Sequence, residues 1–437
     1  MTSENARWMA RSRAAVWHPC TQMKHHEQTP LVPIARGGGA WLYDFEGRRY
    51  LDAVSSWWVN LFGHAHPRIN AAIVEQLDAL PHSMLAGFTH RPAVELAERL
   101  SALAPAGLSH AFYASDGASA TEIALKMSFH YWRQCGAGGK THYARLRSGY
   151  HGETVGALGV TDVALFRDAY GPLLRSQPVL PSPAREPDDA RTPAQAVDDA
   201  LAALEAFLAE HAATTAALIV EPLVQGAGGM AMYDARYLRG ARSLTQRHGV
   251  HLIADEIMTG FGRTGTMFAC EQAAITPDLM CLSKGITGGY LPLSCVLATG
   301  RIYDAFYDDD VARGFLHSHS YTGNALACRA ALAVLDIFRD DDVVEVNRAR
   351  ASRWRNMSLP LSSHPRVRNL RQCGMIVAFE AQSDRPDFAR AFATAALQHE
   401  LVLRPIGKTV YFMPPYIVTD DEFALIVERT LAILDAC

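Results

Sequence analysis

Short apolar runs alternate with amphipathic helical segments along most of this chain. Apolar runs occur at 217–220, 251–255 and 279–283, and the spacing of apolar positions predicts helices at 120–133 and 235–248. Short apolar strands separated by helices are typical of a mainly parallel sheet that is covered on both faces. In such sheets, ligands bind beyond the carboxyl ends of the strands. Functional residues are therefore expected directly after these apolar runs.

The pattern changes towards the C-terminus. Strands are predicted within 366–380 and 401–417, with helices at 386–399 and 420–435, an order that favours a smaller α+β domain. We therefore expect an α/β protein with a large and a small domain. The expected parts are an N-terminal segment at 1–60 that packs with the small domain, a large domain at 61–335 and a small domain at 336–437.

Residues 178–193 differ in composition from the rest of the chain. The segment contains five prolines, Pro187 among them, and proline removes a backbone donor and disrupts helices and central strands. We expect a surface excursion within a domain, because patterned segments flank the prolines on both sides.

Composition argues against several classes of partner. The 437 residues are 49% hydrophobic and 20% charged, and 41 Lys+Arg against 45 Asp+Glu leave a net charge of −4. Because no basic excess is available to neutralise phosphates, we expect no nucleic-acid partner. No apolar run approaches the ~18 residues that a membrane span needs, and the first residues lack the apolar core of a signal peptide. We therefore expect a cytoplasmic protein without a membrane partner.

The cysteines and histidines do not indicate a metal site. Eight cysteines, the last of them Cys437, are scattered without a C-x-x-C pair, which favours reduced, buried thiols. His64 with His66, and His317 with His319, form H-x-H pairs that lack a Cys or carboxylate at ligand spacing. We expect no metal.

Two strand ends carry candidate catalytic groups. Asp255 ends an apolar run, where a carboxylate needs a polar partner or serves as a helix cap. Lys284 follows the next run, and partial burial there would lower its pKa and make it a nucleophile towards an aldehyde. The alternative for Lys284 is an ordinary surface lysine, which the neighbouring glycines make less attractive.

Two further stretches suit a phosphorylated, planar ligand. A small-residue turn at 115–118 leads into a helix, whose free N–H groups can bind phosphate, although a plain helix cap has the same composition. Tyr150 lies beside His151 in a glycine-flanked turn, where its ring can cover a planar ligand or simply pack. Together the four stretches provide what pyridoxal 5′-phosphate needs.

The motifs that carry these residues resemble the class III (ω-type) aminotransferases of fold type I. They are VEPLVQGAGG at 220–229, ADEIMTGFGRTG at 254–265 and LSKGITGG at 282–289. The resemblance runs from about residue 15 to the C-terminus. It implies a fold type I transferase that depends on pyridoxal 5′-phosphate, with a mostly parallel seven-stranded sheet in the large domain and a smaller α+β domain. It also implies a homodimer with shared active sites.

The resemblance implies roles for the residues around the cofactor. Lys284 would form the Schiff base, Asp255 would pair with the pyridine nitrogen, and Tyr150 would stack on the ring. The amides of Gly117 and Ala118 would hold the phosphate. A further phosphate contact would come from Ser320 of the other subunit.

Three stretches resemble the branch of the class that acts in biotin synthesis, namely WHP at 17–19, SSWW at 55–58 and LRPIGKTVYFMPPYI at 403–417. The implied acceptor is 8-amino-7-oxononanoate, and the donor is usually S-adenosylmethionine and in some members lysine. The implied substrate residues are Trp57 along the channel, Arg404 at the far carboxylate, and Arg263, Ser318 and Tyr411 nearby. Of the two adjacent tryptophans, strand alternation predicts that only one faces the site.

Two departures from the family pattern leave the amino donor more open than the acceptor. Cys20 replaces the tyrosine that usually follows WHP, and 318–321 reads Ser-His-Ser-Tyr instead of Gly-Pro-Thr-Phe. The stretch HSHSYTGN is similar to the wider class, so an ω-amino acid:pyruvate transaminase stays an alternative. A catalytically silent binding protein is the other alternative, and intact Lys284 and Asp255 argue against it.

Overall fold

A computed structural model describes residues 3–29, 31–186 and 189–436 of the chain. Pro187 and Cys437 lie outside the described residues. The chain divides into two compact units. The small unit comprises Met1–Pro67, Trp354–Leu370 and Phe379–Cys437, and the large unit comprises Arg68–Arg353 and Arg371–Ala378. The domain limits expected at 60 and 335 stay predictions.

The strands are labelled in chain order. They are β1 (Ile34–Gly38), β2 (Trp41–Asp44), β3 (Arg49–Asp52), β4 (Leu108–Ala114), β5 (His142–Leu146), β6 (Val179–Leu180), β7 (Thr215–Val220), β8 (Val224–Gln225), β9 (Ala231–Met232), β10 (His251–Asp255), β11 (Leu279–Leu282), β12 (Ser294–Thr299), β13 (Val367–Cys373), β14 (Ile376–Ala381), β15 (Leu401–Val402) and β16 (Thr409–Phe412).

The helices are labelled in the same way. They are α1 (Glu4–Ala15), the single turn α2 (Ser55–Trp58), α3 (Pro67–Ala79), α4 (Arg91–Leu103), α5 (Gly117–Gln134), α6 (Val155–Val160), α7 (Ala164–Arg167), α8 (Pro193–His211), α9 (Arg236–Arg247), α10 (Gly300–Asp304), α11 (Ala325–Asp340), α12 (Val343–Met357), α13 (Leu359–Ser362), α14 (Phe388–Gln398) and α15 (Asp420–Ala436). Short 3₁₀ turns occur at Met23–Glu27, Asp168–Leu173, Ala269–Ala273, Lys284–Thr287 and Val311–Arg313.

A seven-stranded sheet forms the centre of the large unit, in the order β4-β12-β11-β10-β7-β5-β6. β12 runs antiparallel to both of its neighbours, β4 and β11, and the remaining pairs are parallel. The mostly parallel α/β sheet predicted from the sequence is thus confirmed. Because β4 has the same direction as the other parallel strands, six strands present their carboxyl ends at one edge of the sheet.

α5 shows how the helices attach to this sheet. The Asp116 carboxylate caps it by accepting a hydrogen bond from the Ser119 N–H at 2.9 Å. Ile123 and Met127 lie on its buried face and belong to the same apolar cluster as Ile253 of β10 and Val296 of β12. Full burial of such side chains contributes roughly 1.5–3 kcal/mol each. The strongly packed face therefore fixes where α5 begins, beside the carboxyl end of β4.

The small unit contains a sheet in the order β1-β2-β3-β15. β1, β2 and β3 are consecutive and antiparallel, whereas β15 joins β3 in parallel, with Leu51 opposite Leu401. A second sheet has the order β13-β14-β16, and the part of it in the small unit is 367–370, 379–381 and 409–412. The mixture of helices and short sheets agrees with the α+β character expected for the C-terminal region.

The structure corrects two details of the expected elements. The strand inferred from alternation at Ser55–Trp58 is wrong, because these residues form the single helical turn α2. Within 401–417, only Leu401–Val402 and Thr409–Phe412 are strands. The proline-rich segment contributes one two-residue edge strand, β6, to the large sheet. Within the described ranges, no helix is long and apolar enough to cross a bilayer.

Candidate active site

The carboxyl edge of the large sheet brings together residues that are far apart in sequence. Asp255 is the last residue of β10 and pairs in register with Cys281 of β11. Lys284 follows β11 by two residues, and Glu221 follows β7, the neighbour of β10 on its other side. Parallel neighbours in register therefore place an acid, a lysine and a second acid at one edge.

Asp255 is held in a fixed orientation by its neighbours. Its carboxylate lies 2.7 Å from Nδ1 of His151 and accepts the Ile257 N–H at 3.1 Å. Asp255 is 4% exposed and His151 is 2% exposed. The backbone of His151 is itself fixed, because its N–H donates to the hydroxyl of Thr161 at 3.0 Å. Asp255 is thus more than a helix cap, since one of its oxygens binds a second buried side chain.

Lys284 is largely buried at the start of a 3₁₀ turn, which rules out an ordinary surface lysine. Burial lowers the pKa of its amine from 10.5 to about 8, although the charges of Asp255 and Glu221 act in the opposite direction. The nearby Arg263 guanidinium lowers this pKa further. Its backbone has a φ of 46°, in the left-handed region that strains residues with a Cβ. The amine is therefore available as a nucleophile near neutral pH.

Glu221 is a buried acid that the sequence reasoning did not assign. Its carboxylate accepts the N–H groups of Tyr150 at 2.9 Å and Gly226 at 2.8 Å. Burial raises its pKa from 4.5 to about 7, with His151 lowering it and Asp255 raising it. The signal that could have found it is its position directly after a fully buried strand, as for Asp255.

Tyr150 lies in the turn between β5 and α6. Its N–H is held by Glu221, and its hydroxyl donates to the Glu153 carboxylate at 2.8 Å. The turn packs tightly on the start of α5, because a Cβ added to Gly152 would lie 2.5 Å from the Cβ of Ala118. The aromatic side chain and the helix N-terminus, predicted from separate stretches, therefore belong to one site.

The N-terminus of α5 has free donors. Within the described part of the chain, the N–H groups of Gly117 and Ala118 donate to no acceptor. The first N–H groups of a helix lack intrahelical partners, and together with the helix dipole they attract an anion. These amides can hold a phosphate group.

Arg263 is nearly fully buried in the loop that follows β10. Its carbonyl accepts the Met375 N–H at 2.9 Å, and Gly374 lies so close behind it that a Cβ there would be 2.5 Å from that oxygen. Its charge acts on Lys284. The structure thus places Arg263 with the cofactor-side residues of the large unit, whereas the resemblance grouped it with Arg404.

Arg404 and Trp57 form a stacked pair in the small unit. The guanidinium carbon of Arg404 lies 4.1 Å from the centroid of the Trp57 ring, a cation–π geometry. Both side chains are exposed, and a guanidinium nitrogen of Arg404 donates to the carbonyl oxygen of Cys20 at 3.5 Å. A carboxylate could bind this guanidinium while an alkyl chain lies on the indole.

Tyr411 contacts Trp58, the residue that follows Trp57 of the stacked pair. Its hydroxyl oxygen accepts a hydrogen bond from Nε1 of Trp58 at 2.9 Å. Burial raises the pKa of Tyr411 to about 12, with Trp58 and Arg404 lowering it and Asp52 raising it. The phenol therefore stays protonated. Of the substrate residues predicted from the sequence, Tyr411 is the one whose pKa is affected by the Arg404 charge.

The turn that carries Trp57 is left-handed. The φ angles of Ser55, Ser56, Trp57 and Trp58 are 51°, 45°, 72° and 74°. L-residues in this conformation are destabilised by about 1–2 kcal/mol each, so consecutive ones are rare. The hydroxyl of Ser55 donates to the carbonyl of Met413 at 2.7 Å, which ties the turn to the segment after β16. Trp57 is exposed and Trp58 is buried, so only one of the two tryptophans can contact a ligand, as expected. The reason is the left-handed turn and not the strand alternation that was expected.

Ser318 and Ser320 lie in an exposed loop of the large unit. The carbonyl of Ser320 is 2.8 Å from Nε2 of His82, and His319 lies 3.4 Å from the hydroxyl of Ser115, which precedes α5. The loop is thus near the helix that is expected to hold the phosphate. The contact of Ser320 with the phosphate of another subunit, and the contact of Ser318 with substrate, stay predictions.

These residues fit pyridoxal 5′-phosphate. A buried lysine with a lowered pKa suits the aldehyde, a buried carboxylate fixed by a histidine suits the pyridine nitrogen, and unpaired helix amides suit the phosphate. The donor set lacks metal character: among residues 3–29, 31–186 and 189–436, no three His, Cys, Asp or Glu side chains group as metal ligands.

Comparison with known proteins identifies the family. The model of the family "Aminotransferase class-III" matches residues 22–434. This chain is a class-III aminotransferase. The fold type I architecture expected from the sequence is confirmed by the match to solved structures of aminotransferases.

Three proteins illustrate what this aminotransferase is similar to. Adenosylmethionine-8-amino-7-oxononanoate aminotransferase from Helicobacter pylori is 44% identical over 96% of both chains. The crystal structure of the protein with the same name from Methanocaldococcus jannaschii matches with a TM-score of 0.93 and 33% identity, covering 99% of each chain. The omega transaminase from Pseudomonas jessenii in complex with PMP matches with a TM-score of 0.93 and 29% identity, covering 98% of this chain and 97% of that one.

Proposed function

We propose that this aminotransferase transfers an amino group to 8-amino-7-oxononanoate and so forms 7,8-diaminononanoate for biotin synthesis. The Arg404–Trp57 pair carries this proposal, because a forked cation stacked on an indole suits a carboxylate at the end of an alkyl chain. Relatives of that name, 33–44% identical over at least 94% of the chain in the examples from Helicobacter and Staphylococcus, support it.

Pyridoxal 5′-phosphate is the cofactor of this reaction, and it supplies an aldehyde that bonds to amines and a ring that withdraws electrons from the substrate. Asp255, fixed by His151, would hold the ring nitrogen in its protonated form. Tyr150 would cover the ring, and the amides of Gly117 and Ala118 would hold the phosphate.

Lys284 has two tasks in the proposed reaction. Its amine would hold the cofactor through the cofactor's aldehyde. As a neutral amine close to the substrate, it would also accept a proton from the substrate carbon and donate one during amino transfer. Its pKa of about 8 makes it both a usable base and a usable acid near neutral pH.

The acceptor is oriented by the small unit in this proposal. Arg404 binds the terminal carboxylate, Trp57 lines the path of the alkyl chain, and Tyr411 fixes Trp58 and thereby the turn. S-adenosylmethionine is the proposed donor, and lysine is the alternative donor. The two substrates react in turn, so the amino group stays on the enzyme between them.

An ω-amino acid:pyruvate transaminase is the second candidate. The match to the Pseudomonas omega transaminase over 98% of this chain favours it, as does the stretch HSHSYTGN at 317–324. Steady-state rates with 8-amino-7-oxononanoate and with pyruvate separate the two, using S-adenosylmethionine, lysine and alanine as donors. We expect the largest kcat/KM for 8-amino-7-oxononanoate with S-adenosylmethionine. A larger value for pyruvate contradicts the proposal.

We also propose that the enzyme is a cytoplasmic homodimer, with Ser320 of one subunit near the phosphate of the other. The exposed position of the loop at 314–321, which carries Leu316 and Tyr321 at 77% and 61% exposure, supports a partner there. Sedimentation equilibrium is expected to give twice the chain mass of 47.8 kDa. A monomer that is fully active would contradict it.

A further inference from the structure

Asp52 is a fully buried carboxylate at the end of β3, directly before the left-handed turn α2. One oxygen accepts the N–H groups of Ser56 at 2.9 Å and Val54 at 3.3 Å. The other accepts the hydroxyl of Ser56 at 2.7 Å and lies 3.2 Å from Nε2 of His64. Both oxygens of Asp52 are therefore occupied, and three of the four donors belong to the turn or its entrance.

His64 fixes Asp52 from the opposite side. Its Nδ1 lies 3.2 Å from the amide nitrogen of Asn60, so Nδ1 accepts and Nε2–H donates to Asp52. Its backbone pairs in both directions with Gly39, at 2.7 and 3.2 Å. Gly37 lies against the ring, where an added Cβ would be 2.5 Å from the Cβ of His64. The imidazole thus has one position, and Asp52 is held between it and the turn.

We propose that Asp52, oriented by His64, is a positioning residue for the acceptor substrate: it holds residues 55–58 in the left-handed conformation that places Trp57 on Arg404. This inference rests on the proposed function for the identity of the acceptor. Two side-chain hydrogen bonds, from Ser55 to Met413 and from Trp58 to Tyr411, fix the two ends of the turn. Among the described residues, Asp52 alone hydrogen-bonds to Ser56, the residue before Trp57.

The sign of φ at Trp57 determines whether its ring can reach Arg404. When φ changes from positive to negative, the Cα–Cβ bond of the residue points in another direction relative to the chain. Trp57, with φ of 72° and ψ of 47°, would then leave the Arg404 guanidinium, which lies 4.1 Å from its ring. Arg404 would keep its charge, but the indole ring that aligns an alkyl chain would no longer lie beside it.

The first experiment is structural and does not depend on the acceptor. The crystal structure of the holoenzyme of Asp52→Ala is expected to show negative φ at Ser56 and Trp57, with the Trp57 ring displaced from Arg404. Asp52→Asn, which keeps an acceptor for the Ser56 N–H, is expected to retain the turn. A left-handed turn that is unchanged in Asp52→Ala overturns the inference.

The second experiment measures the acceptor half-reaction in the holoenzyme. Asp52→Ala is expected to raise KM for 8-amino-7-oxononanoate about tenfold or more, because the free energy that the left-handed conformation costs each L-residue corresponds to a change in affinity of that size. The value of kcat and the rate of the donor half-reaction are expected to change less. Pyruvate, a ketone without an alkyl chain to lie on the Trp57 indole, should show no such rise. Equal changes for both ketones overturn the inference.

A rescue variant separates positioning from a general loss of structure. Glycine adopts positive φ without strain, so Ser56→Gly added to Asp52→Ala is expected to recover most of the lost KM. Failure of the rescue, with both variants folded by circular dichroism, overturns the inference. If Asp52→Ala does not fold, Ser56→Ala replaces it, because it removes the hydroxyl that donates to Asp52 at 2.7 Å. The expected rise in KM is about threefold, and no rise overturns the inference.

Asp44 offers a matched control in the same unit. It is also a buried aspartate on the β1-β2-β3 sheet, and it accepts the N–H groups of Glu46 at 3.0 Å and Arg48 at 2.9 Å. Asp44→Asn is expected to lower the melting temperature without changing KM for the acceptor. Wild-type enzyme that prefers pyruvate would refute the proposed function alone, and the crystal structures would then decide the role of Asp52.

Discussion

The cofactor-side residues of the large unit and the substrate-side residues of the small unit are held in opposite ways. Asp255 and Glu221 are buried at the ends of regular parallel strands, and His151 is buried beside Asp255. The charges of Asp255 and His151 act on the pKa of Glu221, and those of Asp255 and Glu221 act on the pKa of Lys284. Trp57 and Arg404 are exposed, and a strained turn with distant hydrogen bonds positions them. The buried groups of the large unit control the protonation state of Lys284. The exposed pair of the small unit controls the shape of the surface on which a substrate can lie.

This difference teaches which measurements report on each region. Changes at the buried cluster should act on both half-reactions, because the cofactor takes part in both. Changes at the exposed pair should act on one substrate. The four predictions that follow test this division.

The largest effect is expected at Lys284. Lys284→Ala should abolish covalent attachment of the cofactor and reduce turnover by at least about 10⁴-fold, because both the nucleophile and the base are lost. Borohydride trapping with mass spectrometry checks the attachment. Lys140→Ala is the control: Lys140 is also buried with a lowered pKa, and its amine donates to the Thr215 carbonyl at 3.1 Å. That variant should lose stability and keep attachment. Turnover of Lys284→Ala near the wild-type rate would refute the assignment.

The next effect is expected at Asp255. Asp255→Asn should bind the cofactor but slow both half-reactions by about 10²-fold or more, because an amide does not favour the protonated pyridine. Single-turnover absorbance measurements with each substrate check this. Asp278→Asn provides a control, since Asp278 is also buried, directly before β11, but accepts the Leu252 N–H at 2.8 Å and pairs with Arg242. An unchanged rate in Asp255→Asn would mean that another group charges the ring.

A smaller and more selective effect is expected at Arg404. Arg404→Ala should slow the acceptor half-reaction by roughly 10- to 150-fold, the loss of a charge-assisted bidentate contact, and change the donor half-reaction less. The control is Arg49→Ala, because Arg49 also stacks on an indole in the small unit, 4.4 Å from the Trp41 ring. Equal damage to both halves would make Arg404 a general structural or dual-substrate residue. Unchanged acceptor kinetics would remove Arg404 from the acceptor site and favour the ω-transaminase function.

The smallest effect is expected in the pH dependence of cofactor attachment. A pKa of about 8 instead of 10.5 leaves roughly a quarter of the Lys284 amine neutral at pH 7.5, against about one in a thousand for a free lysine. The rate of attachment to cofactor-free enzyme should therefore rise with pH and level off above pH 8. Stopped-flow absorbance measures it.

Two variants should move this midpoint in opposite directions. Glu221→Gln removes a negative charge that raises the pKa of Lys284, and Arg263→Met removes a positive charge that lowers it. We expect a lower midpoint in the first and a higher midpoint in the second, by about one unit or less. Shifts in the same direction would show that burial, and not these charges, sets the difference.

Asp255 and Lys284 were predictable from the sequence because each directly follows a short apolar run. The parallel order of the strands then brings the two residues to one edge. The role of His151 is not predictable from its position beside Tyr150, since its bond to Asp255 joins residues 104 positions apart. Glu221 had the same strand-end signal as Asp255, although no role was inferred for it.

The turn at Ser55–Trp58 was not predictable in the same way. Its positive φ angles occur in serine and tryptophan, without the glycine that usually marks such a conformation. Its stability comes from Asp52 nearby and from Tyr411 and Met413, more than 350 positions away. Polarity alternation carries no information on such contacts.

The parallel pairing of β3 with β15 has a consequence for biosynthesis. Leu51 is opposite Leu401, and Ser55 bonds to Met413, so the small unit needs both ends of the chain. Residues 68–353 supply nearly all of the large unit. During synthesis on the ribosome, β3 therefore cannot pair with β15 until about 350 further residues have been added. The strands of the central sheet are all synthesised before that point. Pulse proteolysis of stalled nascent chains should show protection at β10 and β11 before β3.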